Sequence, residues 1–300
     1  VSAKLFLDIV RRLPEEIVFI EADERMVTYI ACGKVNYQIV GMSSVEYPDL
    51  PSFEQTDRIT LNAKILRDMI RQTVYAVSEN TAKPIYTGSL YEIEDGVFKI
   101  IAIDGYRMAI RSENVDSESK NRFVVPGKTQ HEVLKLLTDD EENTEIIIGQ
   151  RHITFKIKNY RIISRLIEGT FIEYKSAIPK ETKTEVVINT RTIIDAVERM
   201  SLLNNDRIQS PVRCIFSDDE IKLSCTSAVG RANDVISVPI IGESVEIGFN
   251  NRYLLDALKN ADTDEIKLIL NGSLTAMIVK PVKGDSYLSI VVPMRLANEN

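Results

Sequence analysis

Three stretches of this chain carry one chemistry at one spacing: "KLFLDIVR" at 4–11, "KTQHEVLK" at 128–135 and "RYLLDALK" at 252–259. Lys4, Lys128 and Arg252 lie 124 residues apart, as do Asp8, Glu132 and Asp256, and Arg11, Lys135 and Lys259. On a helix, residues four and seven apart share a face, so each copy presents two bases two turns apart with an acid between them. One such line is an ordinary solvated helix face. Three at constant spacing point to internal repetition, and repetition fixes what the chain can fold into.

The flanking sequence repeats with it. Each line is followed by three short, β-branched, partly alternating runs, such as "EIVFIEA", "RMVTYIAC" and "VNYQIVGM" after the first and "EIKLIL", "LTAMIVK" and "YLSIVVPM" after the third. The expected unit is a helix followed by a three-strand meander. A second unit precedes it: "LNAKILRDMI" (61–70) matches "INTRTIIDAV" (188–197), and "DGVFKIIAI" (95–103) loosely matches "DDEIKLSCT" (218–226). One full repeat is therefore two helix-plus-sheet halves. The division is 1–55 for a second half alone, 56–181 for the second repeat and 182–300 for the third. Extending the period backwards predicts that about 70 residues precede Val1 in the parent protein.

Five helices are expected at about 2–13, 62–78, 127–137, 190–204 and 251–261. Their charges sum to +6, leaving −13 for the remainder of a chain at −7. An acidic protein with basic helices can hold DNA on its helical side while the rest repels it. Three widely spaced cysteines, Cys32, Cys214 and Cys225, fit reduced thiols in a cytoplasmic protein. Two histidines and no paired cysteine motif leave no metal or cofactor site to expect. No apolar run approaches membrane-span length, so no membrane partner is expected.

Two motifs resemble enzyme signatures. "PGKTQ" at 126–130 ends like a phosphate-binding loop, but position 122 is Arg where that loop needs Gly. "DGYR" at 104–107 reads either as an acid–base pair or as a tight turn leaving a strand. An enzyme built on Asp104, Arg107 and Glu168 is one alternative; no partnered nucleophile–His arrangement supports it.

Several longer stretches carry a resemblance. "KPIYTGSLYEIEDGVFKIIAIDGYRMAI" (83–110), "FVVPGKTQHEVLKLL" (123–137), "SRLIEGTFIEYKSAIP" (164–179), "IGFNNRYLLDALK" (247–259) and "VVPMRL" (291–296) resemble the bacterial sliding clamp family, the beta subunit of DNA polymerase III. The resemblance implies an α+β fold of repeated clamp domains, with helices on the inner face and antiparallel sheets outside. Two chains would close into a ring around double-stranded DNA, held without sequence specificity. It implies a non-catalytic processivity factor. Its partners would be the DNA polymerase III alpha subunit, the clamp loader delta subunit, and other polymerases and repair proteins that carry clamp-binding peptides. A peptide-binding scaffold that never holds DNA is the other alternative.

The resemblance also assigns residues. A peptide pocket is expected with Gly105, Tyr106, Arg107 and Met108 on one wall and Tyr86, Ile103, Ile172 and Ala177 close by. Asn250, Tyr253, Leu274, Ile290, Val292, Pro293, Met294 and Arg295 supply the other wall. Three positions depart from the family pattern and bear on peptide preference: Tyr106 for histidine, Ile172 for proline and Ser176 for arginine. DNA-facing residues are expected at Lys4, Arg11, Lys64, Arg67, Arg71, Asn80, Lys83, Lys128, Lys135, Arg191, Arg199, Arg252 and Lys259. Subunit contacts are expected at Tyr37, Ile39, Leu202 and Leu203, each of which also reads as an ordinary core position.

Overall fold

The computed structural model describes residues 1–14, 17–46, 57–138, 142–204 and 210–296. Two compact units divide the chain, Val1–Glu54 and Gln55–Asn300. In the first, helix α1 (Ala3–Val10) precedes a meander of β1 (Val18–Ala22), β2 (Val27–Cys32) and β3 (Val35–Val40), paired antiparallel in chain order. Ile9, Ile30 and Cys32 are buried there.

The second unit contains one order of elements twice. The first pass is β4 (Asp57–Asn62), α2 (Ala63–Val74), β5 (Gly88–Glu94), β6 (Val97–Ile103), β7 (Arg107–Asn114), β8 (Asn121–Pro126), α3 (Gly127–Leu136), β9 (Asn143–Ile148), β10 (His152–Ile157) and β11 (Tyr160–Arg165). The second pass is β12 (Thr184–Asn189), α4 (Thr190–Ser201), β13 (Val212–Ser217), β14 (Glu220–Ser227), β15 (Gly230–Ser237), a short extra strand β16 (Ile240–Gly242), β17 (Val245–Phe249), α5 (Asn251–Lys259), β18 (Glu265–Leu270), β19 (Met277–Pro281) and β20 (Tyr287–Val291). The helix followed by a meander recurs at α1, α3 and α5, as the three sequence lines require.

Local chemistry places these elements. Asn62, Asn189 and Asn250 stand one residue before α2, α4 and α5, and their side chains accept the first free helical N–H groups. The helices end earlier than periodicity suggests, so Arg11 lies just past the end of α1. At the β5–β6 hairpin, Asp95 and Gly96 both adopt positive φ (52° and 73°), the geometry an Asp-Gly turn favours. Asp218 and Asp219 repeat it at β13–β14 with φ of 54° and 56°.

Each pass folds round its own core. Leu66, Met69 and Ile70 of α2 pack with Tyr91, Phe98, Ile146 and Phe155. Ile193 and Val197 of α4 pack with Phe216, Leu223, Phe249 and Leu268. Four strands of the first pass and five of the second, the short β16 included, join in one nine-stranded sheet, ordered β16-β12-β18-β19-β20-β7-β6-β5-β8. Its seam is β20 against β7, antiparallel from Tyr287↔Arg111 to Val291↔Arg107. A third apolar cluster covers this seam, made of Met108, Ile110, Ile278, Ile290, and Phe171 and Tyr174 from the connector after β11. The connector is tied down by Tyr174, whose hydroxyl donates to Glu92 Oε2 at 2.7 Å.

Candidate functional site

A groove of about 590 Å³ opens at the seam, beside the β6–β7 turn. The turn is built by its first residue. Asp104 Oδ1 accepts the backbone N–H groups of Tyr106 and Arg107 at 2.8 and 2.9 Å, and Gly105 takes the positive φ (95°). The "DGYR" motif is thus a tight turn whose last side chain folds back inside it. Arg107 Nε donates to Asp104 Oδ2 at 2.9 Å, and Nη1 donates to Asp256 of α5. Its side chain is only 6% exposed. The guanidinium lies 4.7 Å from the centre of the Tyr253 ring and 5.5 Å from that of Tyr75. Burial is affordable because two carboxylates and two ring faces replace water around the cation.

Tyr75 extends this arrangement into the seam. Its hydroxyl bonds Ser289 Oγ at 2.8 Å and Tyr287 Oη at 3.1 Å. Burial pushes the Tyr75 phenol up to about 12, against the opposing pull of those bonds. Tyr287 is raised well above the usual range, again chiefly by burial.

The structure distributes the expected pocket residues unevenly. Tyr86, Ile103, Gly105, Tyr106, Arg107, Ile172 and Tyr253 line the groove. Tyr106 and Tyr253 stack across it, with centroids 5.8 Å apart and planes 18° from parallel. Met108 and Ile290 do not line it; they are buried in the seam cluster behind the wall. Asn250 is occupied as the cap of α5. The segment 292–296 reaches the turn by its backbone: the Val292 N–H donates to Tyr106 O and the Met294 N–H to Gly248 O, both at 2.8 Å. Val292 and Arg295 are exposed, and Pro293 and Met294 half-buried. Ala177 and Ser176 belong to a short 3-10 turn, and Leu274 is 83% exposed; none of them is among the lining residues.

Sequence reasoning missed part of the lining. Val77, Ser78, Glu79 and Ala82 follow α2 and form one side, while Asp104 closes the floor. Asn80, Lys83 and Arg252, expected to face DNA, also line the groove, and Arg252 pairs with Glu79 at 3.1 Å. The signal for this loop was available in "SENTAKP", a polar run directly after a helix.

Of the repeated acids, only Glu132 pairs with a base of its own line. Asp8 lies 3.9 Å from Arg12, Glu132 pairs with Lys135 at 2.8 Å, and Asp256 leaves its helix for Arg107. Lys135 holds the Glu132 carboxyl below its usual range through that bond, and Lys259 does the same to Glu198. Lys64, Arg67 and Arg71 share α2, and Arg71 pairs with Asp68 and with Asp262 beyond α5. Lys128 opens α3, and Lys4 lies on α1. Arg191 pairs with Asp195 at 2.8 Å. Arg199 Nε donates to Asp234 of β15 at 2.8 Å, which directs it to a sheet edge. Tyr37 and Ile39 lie on β3, Tyr37 exposed and Ile39 half-buried. Leu202 is 83% exposed just after α4, whereas Leu203 packs on the core.

Asp104, Arg107 and Glu168 do not form one site. Arg107 is ion-paired with Asp104 and Asp256, and Glu168 lines a different cavity, near Arg151 and Arg165. Among the described residues, no group of three or more His, Cys, Asp or Glu could hold a metal ion. Among the described residues no helix is long and apolar enough to cross a membrane.

Comparison with known proteins agrees along the chain. Family models of the DNA polymerase III beta subunit match at 1–51 (N-terminal domain), 60–173 (central domain) and 175–295 (C-terminal domain). The beta sliding clamp of Halalkalibacterium halodurans is 33% identical over 98% of this chain and 79% of its own length. That of Bacillus subtilis is 32% identical with the same coverage. The solved Bacillus subtilis DNA polymerase sliding clamp superposes with a TM-score of 0.95 over 99% of this chain and 79% of its own, at 32% identity. The DNA polymerase beta subunit of Streptococcus pyogenes gives 0.93 at 26% identity, over 99% of this chain and 81% of its own.

Proposed function

This chain belongs to the DNA polymerase III beta subunit family, the beta sliding clamps, a family of non-catalytic processivity factors, and from that premise we propose how it works. It acts in the cytoplasm as a ring dimer that encircles duplex DNA and tethers the replicase through the groove beside Arg107. Residues 1–55, 56–181 and 182–300 act as successive clamp domains.

The observation that carries this reading is the seam. Strand β20, the last of a helix-plus-meander half, pairs with β7, the third strand after α2 in the preceding pass. By repeat position, β3 corresponds to β20 and β15 to β7. Strands β3 and β15 each pair on one side only among the described strands. Pairing β3 of one chain with β15 of another therefore extends the same head-to-tail rule to a second copy, near Tyr37, Ile39, Leu202 and Leu203. Applied twice, it closes a ring.

The groove takes peptide tails of Gln-x-x-Leu-Phe type. Apolar Tyr86, Ile103 and Ile172 receive the hydrophobic side chains, and Val292–Arg295 borders the far side. The polymerase alpha subunit, the clamp loader delta subunit and repair proteins compete for it. The basic residues of the helices face the duplex. Because many are paired with acids, they centre DNA loosely, and enclosure supplies the hold.

Light scattering tests the dimer. A chain of 33.9 kDa should run as a species of twice that mass, and Ile39→Asp should return it to monomer. A monomer at all concentrations, with peptide still bound, would leave the groove reading and remove the ring.

A further inference from the structure

We propose that Asp256 is a positioning residue for the peptide groove, acting through Arg107 from the opposite side of the seam; the inference rests on the peptide-binding reading above. The first observation is a departure inside the repeat. In the copies of α1 and α3 the acid serves its own helix, Asp8 beside Arg12 and Glu132 on Lys135. In α5 the same position is diverted off its helix line: the Asp256 Oδ2 accepts from Arg107 Nη1 on β7. Its neighbours on that line find other partners, Arg252 with Glu79 and Lys259 with Glu198.

The second observation is what the contact fixes. Asp104 holds only the Nε edge of the guanidinium. A planar fork held at one edge can swing about that edge. A second carboxylate on Nη1 sets its plane. That plane lies against Tyr253, whose ring stacks on Tyr106 across the groove. The chain of contacts therefore runs from Asp256 to Arg107, to Tyr253, to Tyr106. Two of these residues belong to the turn and two to α5, so the groove keeps its shape only while the two sides of the seam stay in register. With two carboxylates on one guanidinium, the floor is not a free cation waiting for a ligand acid. A bound peptide meets it as the backing of an aromatic wall.

The test uses the whole chain and a fluorescein-labelled peptide, Gln-Ala-Ala-Leu-Phe. Asp256→Asn keeps the shape and one acceptor but removes the charge. Asp256→Glu restores a carboxylate, and Glu132→Gln makes the matching change in the second copy of the repeat. Asp256→Asn should weaken the peptide by roughly fivefold or more, Asp256→Glu should recover most of that loss, and Glu132→Gln should bind as the parent does. Nitrogen-15 NMR of the arginine side chain reads the positioning without any ligand. The Arg107 Nη resonances should be separate in the parent, through hindered rotation, and should merge in Asp256→Asn. Unchanged Arg107 resonances together with unchanged affinity in Asp256→Asn would overturn the inference. A loss of affinity that Asp256→Glu does not recover, with the Arg107 resonances intact, would also overturn it. If the parent binds no peptide, the proposed function fails, and the Nη resonances alone still decide whether Asp256 fixes Arg107.

Discussion

Removing one oxygen from each of two buried tyrosines should move stability in opposite directions. The Tyr91 hydroxyl is buried with no hydrogen-bond partner among the described residues, and its ring packs between Phe98 and Phe123 at 5.4 and 5.8 Å. Burial pushes its phenol far above the usual range. Tyr91→Phe deletes an unsatisfied group that costs about 1–3 kcal/mol to bury, less the small void it leaves, for a net gain of about 1 kcal/mol. Tyr174 is the converse. Its hydroxyl donates at 2.7 Å to Glu92, a carboxylate in a residue 8% exposed. A bond to a charged group contributes about 1.5–3 kcal/mol, so Tyr174→Phe should cost about 2 kcal/mol. In a unit of this size each kcal/mol moves the melting temperature by about 2–4 °C. Far-ultraviolet circular dichroism should therefore place Tyr91→Phe about 3 °C above the parent and Tyr174→Phe roughly 6 °C below it. Tyr174 also anchors the connector that brings Ile172 to the groove, so only Tyr174→Phe should weaken peptide binding. Equal shifts of the same sign would refute the argument.

Three further outcomes follow from packing. Ending the chain after Val291 should abolish peptide binding, since Val292 holds the far border against Tyr106, and a titration showing full affinity would place the peptide elsewhere. A Cβ on Gly248 would stand 2.6 Å from Leu296 and 3.1 Å from the Met294 carbonyl, so Gly248→Ala should displace the same segment and weaken the peptide severalfold, read by fluorescence anisotropy. Burial pushes the Cys214 thiol up to about 12 and raises that of Cys225, and both side chains are buried; a thiol reagent at mildly alkaline pH should label neither until the protein is unfolded in urea.

Much of the architecture was legible because it is written more than once. The three basic lines fixed the repeat, and Asn62, Asn189 and Asn250 mark three helix starts through a local interaction that sequence exposes directly. What the sequence hid is nonlocal. Nothing in "YLSIV" says that its free edge meets "RMAIRSEN", yet that pairing makes the groove. Asp256 looked like its repeat equivalents until the partner 149 residues away was in place. Arg199 looked like a helix-face base, but Asp234 on β15 draws it aside. Met108 and Ile290 were expected in the pocket walls; the structure buries both in the seam cluster behind it, because alternation along a strand sends neighbours to opposite faces.

The central claim is that DNA is held by enclosure, and retention on DNA with and without ends tests it most directly. The protein would be loaded on nicked circular DNA with a clamp loader and ATP, washed in salt of about 1 M to remove electrostatic binding, and followed before and after a single restriction cut. The account predicts that it stays on the circle through the wash and runs off once the DNA is linear. Equal retention on both forms, falling steeply as salt rises, would contradict it.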